Sequence, residues 1–83
     1  MDYQKDSIGQ IVLEARKENG LHGLELARKL RIDPVSVCNI EKNRHIPSVE
    51  LGAKIAGVLN LDLRQFLFLI LRSKHPHLNM IFQ

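Results

Sequence analysis

The amino-acid sequence predicts an all-α fold of five short helices. Apolar residues recur at helical spacing rather than in alternation, capping residues precede the apolar segments, and helix-terminating residues follow them. The 83-residue chain carries a formal net charge of +3, and its length fits one domain with a modest core. We assign residues 1–74 to that domain and residues 75–83 to a C-terminal tail.

The first helix is predicted to begin after Ser7 and to end at Gly20. A glutamine follows Ser7 at capping-box spacing, and glycine readily takes the left-handed backbone that follows a helix. The second helix is predicted over residues 23–30. His22 stands at its N-cap, where serine or threonine would cap better, although Glu25 has the capping-box spacing.

A tight turn separates the second helix from the third. Asp33 is a strong N-cap and Pro34 suits the first helical position, so the third helix is predicted over residues 34–42. Asn43 can take the left-handed conformation that ends it. Two short helices joined by residues 31–33 have the outline of a helix-turn-helix, whose second helix lies in the DNA major groove.

Two further helices complete the domain. Residues 47–48 start the fourth helix and Asn60 ends it, with an inward face of Val49, Ile55, Ala56 and Leu59. Asp62 lies three residues before a glutamine, which predicts a capping box for a fifth helix over residues 63–73. Pro76 prevents its continuation.

Composition narrows the location and the class of partner. An isoelectric point near 9.4 suits a polyanionic partner. The single Cys38 excludes an internal disulfide framework and fits a reducing cytoplasm. We find no secretion leader, and the longest apolar run, residues 66–71, is too short to span a bilayer. We therefore expect a cytoplasmic protein without membrane contact.

The sequence does not indicate an enzyme or a cofactor. It has no nucleophile–base pair, no paired carboxylates and no phosphate-binding glycine loop. Cys38 with His75 and His77 matches no zinc spacing, so we predict no metal site. We interpret the lone Cys38 as chemically inert rather than as a redox sensor.

Residues 8–63 resemble the phage Cro and repressor-like helix-turn-helix family, also called the Xre family. The shared framework reads I-G-Q-I-V-L-E-A-R, G-L-x-x-x-E-L-A, I-D-x-x-x-V-x-x-I-E, P-S and K-I-A-x-V-L-N-L, in this order. The resemblance implies a five-helix, lambda-repressor-like bundle whose second and third helices bind double-stranded DNA. It also implies a dimeric transcriptional regulator of bacterial, phage or plasmid origin.

The family's phosphate-binding positions at the start of the second helix fall on His22 and Gly23. The family usually has serine or threonine followed by glutamine there. Gly23 still offers a backbone N–H to a phosphate but no side-chain contact. After the third helix, the resemblance and the positive charge suggest phosphate contacts by Lys42, Arg44 and His45, with a solvated basic loop as the alternative.

The family's base-contacting positions fall on Pro34, Val35, Ser36 and Asn39. Asn39 can make a bidentate contact to adenine, and Val35 can pack on a thymine methyl group. No arginine is placed to bind guanine. We expect an operator that is rich in A·T pairs and is read partly through its shape. The alternative is that this member of the family no longer reads DNA tightly.

Arg16 and Glu41 match a family ion pair between the first helix and the end of the third. A buried carboxylate needs a partner because an isolated buried charge is very costly. The alternative is two unrelated surface charges.

Apolar residues exceed what one inward face can bury. Ile11, Leu13 and Leu24 occupy positions that are usually polar in the family, and the fifth helix is apolar almost all round. We therefore predict a homodimer whose interface includes Leu63, Phe66, Leu67, Phe68, Leu69, Ile70, Leu71, Met80, Ile81 and Phe82. Alternatively, the tail folds back over the first helix of its own chain.

The resulting functional prediction is a homodimeric repressor or regulator that occupies an operator. The rival hypothesis is a protein-interaction module that keeps the fold, reads DNA weakly or not at all, and binds a second regulator protein through the fifth helix. Control of a chain without a ligand domain would come from its concentration, a partner or the tail.

Overall fold

The computed structural model describes residues 7–74, and this range contains five α-helices and no strand. The predicted all-α class is confirmed. The helices are α1 (Ile8–Glu18), α2 (Gly23–Leu30), α3 (Pro34–Glu41), α4 (Val49–Leu59) and α5 (Leu63–Lys74). None of these helices is long and apolar enough to cross a membrane.

Short polar side chains begin four of the helices by accepting backbone N–H groups. At α1, Ser7 Oγ accepts the N–H of Gln10 at 3.1 Å. The Gln10 side chain donates to Glu14 instead of closing a capping box. The same kind of cap occurs at α3, α4 and α5, with the acceptors Asp33, Ser48 and Asp62. Local caps therefore account for most of the helix starts.

Left-handed residues follow four of the helices. Gly20 has φ 68° after α1, and Asn60 has φ 58° after α4. Arg31 has φ 58° after α2, where a side chain costs about 1 kcal/mol relative to glycine. Helix α3 ends at Glu41, one residue earlier than predicted, and Asn43 follows with φ 60°.

The apolar faces of all five helices meet in one core. Ile11 is fully buried there, so its apolar character serves the core and adds nothing to the surface. Val49 is 40% exposed, and the expectation that it points inward is wrong. Pro47, two residues earlier, is buried instead. The members of the core are Ile8, Ile11, Val12, Ala15, Leu26, Ala27, Leu30, Val37, Ile40, Ile55, Ala56, Leu59, Phe66, Leu69 and Ile70.

Two glycines allow helices to approach closely. A Cβ at Gly9 would lie 2.5 Å from the carbonyl oxygen of Glu41 and 2.6 Å from that of Ile40, so the first turn of α1 lies directly on the end of α3. A Cβ at Gly52 would overlap the side chain of Ile70, where α4 packs on α5. The first contact sets the position of α1 on α3, and the second sets that of α5 on α4.

Candidate nucleic-acid interface

The turn between α2 and α3 is held by the end of α2. The N–H of Ile32 donates to the carbonyl of Ala27 at 3.0 Å, and that of Arg31 to Arg28 at 3.2 Å. Ala27 is 1% exposed, and buried Leu26, Leu30, Val37 and Ile40 fill the space between α2, α3 and the core. Packing beneath both helices therefore sets their relative position.

The outer face of α3 carries the residues that we expect to read bases. Val35 is 64% exposed, Pro34 is exposed, and Ser36 and Asn39 are half-buried. The backbone donors at this end of α3 are already used, because Asp33 accepts the N–H groups of both Val35 and Ser36. Contacts from this end of α3 must therefore come from side chains.

The start of α2 differs in this respect. Its first helical hydrogen bond runs from the N–H of Leu26 to the carbonyl of His22 at 3.0 Å. The Glu25 carboxylate accepts the N–H of His22, also at 3.0 Å. Helix geometry leaves the N–H groups of Gly23 and Leu24 without a carbonyl one turn earlier. Since Gly23 has no side chain to cover them, this end of α2 suits a phosphate.

The segment after α3 presents three basic side chains. Lys42, Arg44 and His45 are all exposed, and none of them forms a salt bridge within residues 7–74. The backbone is nevertheless ordered, since the N–H of Arg44 donates to the carbonyl of Asn39 at 2.8 Å. A hydrogen-bonded backbone that presents basic side chains to solvent is suited to phosphate contacts.

One guanidinium connects three parts of the site. Arg16 donates from Nε to Glu41 Oε2 at 2.7 Å and from Nη2 to Oε1 at 3.1 Å, and from Nη1 to the carbonyl of Leu21 at 2.9 Å. The hydrogen bonds to Glu41 raise the pKa of Arg16, although partial burial opposes this. Arg16 therefore links α1 to the end of α3 and to the residue preceding His22.

Helix α5 divides the predicted dimer residues into two groups. Phe66, Leu69 and Ile70 lie in the core of their own chain, so the expectation that these three contact a partner is wrong. Leu63, Phe68 and Leu71 are 52%, 42% and 38% exposed, and Leu67 is half-buried. The first group faces α1 and α4, which explains its burial. Met80, Ile81 and Phe82 lie outside the described residues.

Cys38 is exposed on α3. The described part of the chain contains no group of three histidine, cysteine or acidic residues that could hold a metal ion. His75 and His77 lie outside it.

A contact between α1 and the basic segment, residues 42–45, was not predictable from the sequence pattern. Asn43 was expected only to end α3, but its side chain also hydrogen-bonds the first turn of α1. The sequence hints at this contact only through Gly9. This glycine lies in a predicted first helical turn, where a left-handed backbone is not needed.

The tight turn, the exposed face of α3 and the open start of α2 together define a helix-turn-helix protein. A family model described as helix-turn-helix matches residues 12–66, more than half of the sequence, and the chain belongs to this family. The resemblance to Cro-like and Xre-type proteins is thereby confirmed. Membership supports a DNA-binding regulator rather than an enzyme.

The chain is also similar to a phage protein. The chain is 34% identical over 56 residues to the "ImmF control region 10 kDa protein" of Bacillus phage phi105. The alignment covers 68% of this chain and 62% of that protein, so the chain spans less than two thirds of the relative's length. No solved structure matches the chain.

Proposed function

We propose that the protein is a transcriptional repressor that binds an operator as a homodimer and blocks polymerase. The observation that carries this proposal is the exposed face of α3, set between an open helix start at Gly23 and the exposed basic side chains from Lys42 to His45. The phage relative is named for a control region, and we extend that regulatory context to this chain.

Base reading in this proposal depends on few side chains. Asn39 contacts adenine through its amide, and Val35 packs on a thymine methyl group. Ser36 is compatible with several different base pairs. No lysine or arginine stands on this face to bind guanine. Phosphate contacts therefore supply most of the affinity, and binding should weaken steeply as the salt concentration rises.

The proposed dimer uses the exposed residues of α5. Leu63, Phe68 and Leu71 are 52%, 42% and 38% exposed, so burial of the remaining area against a partner contributes roughly 0.6–1.5 kcal/mol for each, and a two-fold interface buries each residue twice. The gain would offset the entropy lost on association. Two copies would place their α3 helices in two half-sites of one operator, as other dimeric helix-turn-helix proteins do.

A binding titration on genomic fragments tests the proposal. We expect enrichment of fragments with an A·T-rich two-fold site over random DNA at low salt, and a footprint on the enriched fragment. Light scattering on the same sample should give the mass of a dimer. A protein that enriches no fragment over random DNA would contradict operator binding and favour the protein-interaction module.

A further inference from the structure

The side chain of Asn43 joins the basic segment to α1. Its Oδ1 accepts the backbone N–H of Gly9 at 2.9 Å, and its Nδ2 donates to Ser7 Oγ at 3.0 Å. The two partners lie 34 and 36 residues earlier in the chain, in the first turn of α1 and at its N-cap. Asn43 therefore acts as a second, long-range cap for this helix.

Gly9 makes this contact possible. Any Cβ at position 9 would meet the carbonyl oxygens of Glu41 and Ile40, and would lie 2.8 Å from Asn43 Oδ1. The absence of a side chain lets the Gly9 N–H reach the amide of Asn43. The N–H is one of the donors that have no partner within a helix, so the bond satisfies a group that otherwise needs water.

Asn43 lies within the basic segment, so its contact with α1 affects the neighbouring basic residues. Asn43 lies between the exposed cations Lys42 and Arg44. The hydrogen bonds of the adjoining backbone lead back to α3, from Lys42 N–H to Cys38 and from Arg44 N–H to Asn39. The Asn43 side chain adds a connection to a different helix, which restricts rotation of the segment about the end of α3.

We propose that Asn43 is a positioning residue for DNA binding, which holds residues 42–45 against α1 so that their cations are in place before a phosphate arrives. This inference rests on the proposed function. A segment that is ordered in the free protein loses less conformational entropy on binding. The left-handed backbone alone does not require this side chain, since glycine takes φ 60° freely.

Asn43→Gly removes the side chain but still allows the left-handed backbone of the turn. Asn60→Gly is the matched control. Asn60 has φ 58° and ends α4, so the backbone change is the same. On a short mixed-sequence DNA duplex at low salt, we expect Asn43→Gly to raise Kd roughly tenfold. Asn60→Gly should change Kd less than about twofold. Both are measured at a temperature where each variant is fully folded.

Two further measurements identify the cause. The Gly9 amide should exchange with solvent faster in Asn43→Gly and at the parent rate in Asn60→Gly, because only Asn43 accepts that N–H. Ser7→Ala removes the Nδ2 acceptor together with the N-cap of α1, so it is compared with Ser48→Ala, which removes only the cap of α4. Ser7→Ala should raise Kd roughly threefold, and Ser48→Ala should leave it close to the parent value. Ser7→Ala replaces Asn43→Gly as the test if the latter does not fold.

Three results would overturn the positioning role. The first is an unchanged Kd for Asn43→Gly together with faster Gly9 exchange, since the contact would then exist without an effect on binding. The second is equal weakening in Asn43→Gly and Asn60→Gly, which would indicate a general loss of stability. The third is an unchanged Kd for Ser7→Ala when Asn43→Gly does not fold.

A parent protein that binds no DNA would refute the proposed function instead. In that case, NMR order parameters of the Arg44 and His45 amides in the free protein test whether Asn43 orders residues 42–45. They should fall in Asn43→Gly and stay at the parent values in Asn60→Gly. Unchanged values would refute the ordering as well.

Discussion

The Arg16 guanidinium and the Glu41 carboxylate form a bidentate salt bridge, with donor–acceptor distances of 2.7 and 3.1 Å. Their side chains are only 15% and 12% exposed. Because solvent screens the pair weakly, each charge depends on the other. Arg16 also donates to the carbonyl of Leu21, so the residues that lead into α2 are held by the same side chain.

Arg16→Ala should lower the free energy of unfolding by about 3 kcal/mol, because Glu41 would keep a mostly buried charge without its partner. Arg16→Lys should recover only part of the loss, since an ammonium group cannot reproduce the planar bidentate contact. Urea unfolding measures both variants, and Arg28→Ala, on the exposed surface of α2, is the control. A midpoint equal to that of the parent would show that Glu41 does not need Arg16.

Asn39→Ala and Arg44→Ala should weaken DNA binding in different ways. Loss of Asn39 should cost about 1–3 kcal/mol on the specific site and leave binding to random DNA nearly unchanged. Loss of Arg44 should weaken binding to both and reduce the dependence on salt by about one phosphate contact. Fluorescence anisotropy on the two duplexes at several salt concentrations distinguishes the variants. Identical behaviour of the two would contradict the proposed placement of α3.

Phe68→Glu combined with Leu71→Glu should give a folded monomer, since both side chains are more than one third exposed on α5. Leu24→Glu is the control for an added charge, because Leu24 is 50% exposed but lies on α2. Light scattering should show a dimeric parent and control. A parent that is monomeric at micromolar concentration would refute the dimer.

Leu69→Glu should unfold the domain rather than separate a dimer. Leu69 is 7% exposed and belongs to the core, where an isolated carboxylate is very costly. Far-UV circular dichroism should therefore show a loss of helix at a temperature where Phe68→Glu remains helical. Retention of the parent spectrum would mean that this side of α5 is accessible after all.

Gly9→Ala and Gly57→Ala should change stability in opposite directions, although both place alanine in a helix. At Gly9 the new methyl group would meet two backbone carbonyl oxygens, so we expect a loss of roughly 1–3 kcal/mol. At Gly57 nothing lies within 4 Å of the new atom, and alanine should stabilise α4 by about 0.5–1 kcal/mol. Thermal unfolding of the pair tests the close approach of α1 to α3, and equal effects would contradict it.

Helix ends were predictable from sequence because their causes are local. Asp33, Ser48 and Asp62 each accept an N–H within three residues, and α3 ends within one residue of the prediction. The inward side of α5 was not predictable, since a helix that is apolar almost all round gives periodicity no preferred face. The structure supplies that face through the contact between Gly52 and Ile70.

The candidate site was only partly predictable for a different reason. The DNA-binding positions on α2 and α3 came from a resemblance in sequence, and the structure adds their exposure and their backbone hydrogen bonds. The contact between Asn43 and Gly9 joins residues 34 apart in sequence. No local pattern encodes such a pair, because it depends on the packing of α1 against α3.

Because Asp33 accepts the first N–H groups of α3, contacts from this end of the helix are left to its side chains. The side chains of Ser36 and Asn39 form no hydrogen bond within residues 7–74, and Val35 is 64% exposed. On the proposed function, exchanging them should therefore change the preferred DNA sequence while leaving the fold intact. Sequence preference would then depend on side chains that the fold does not need, and binding to the DNA backbone would depend on α2 and the segment after α3.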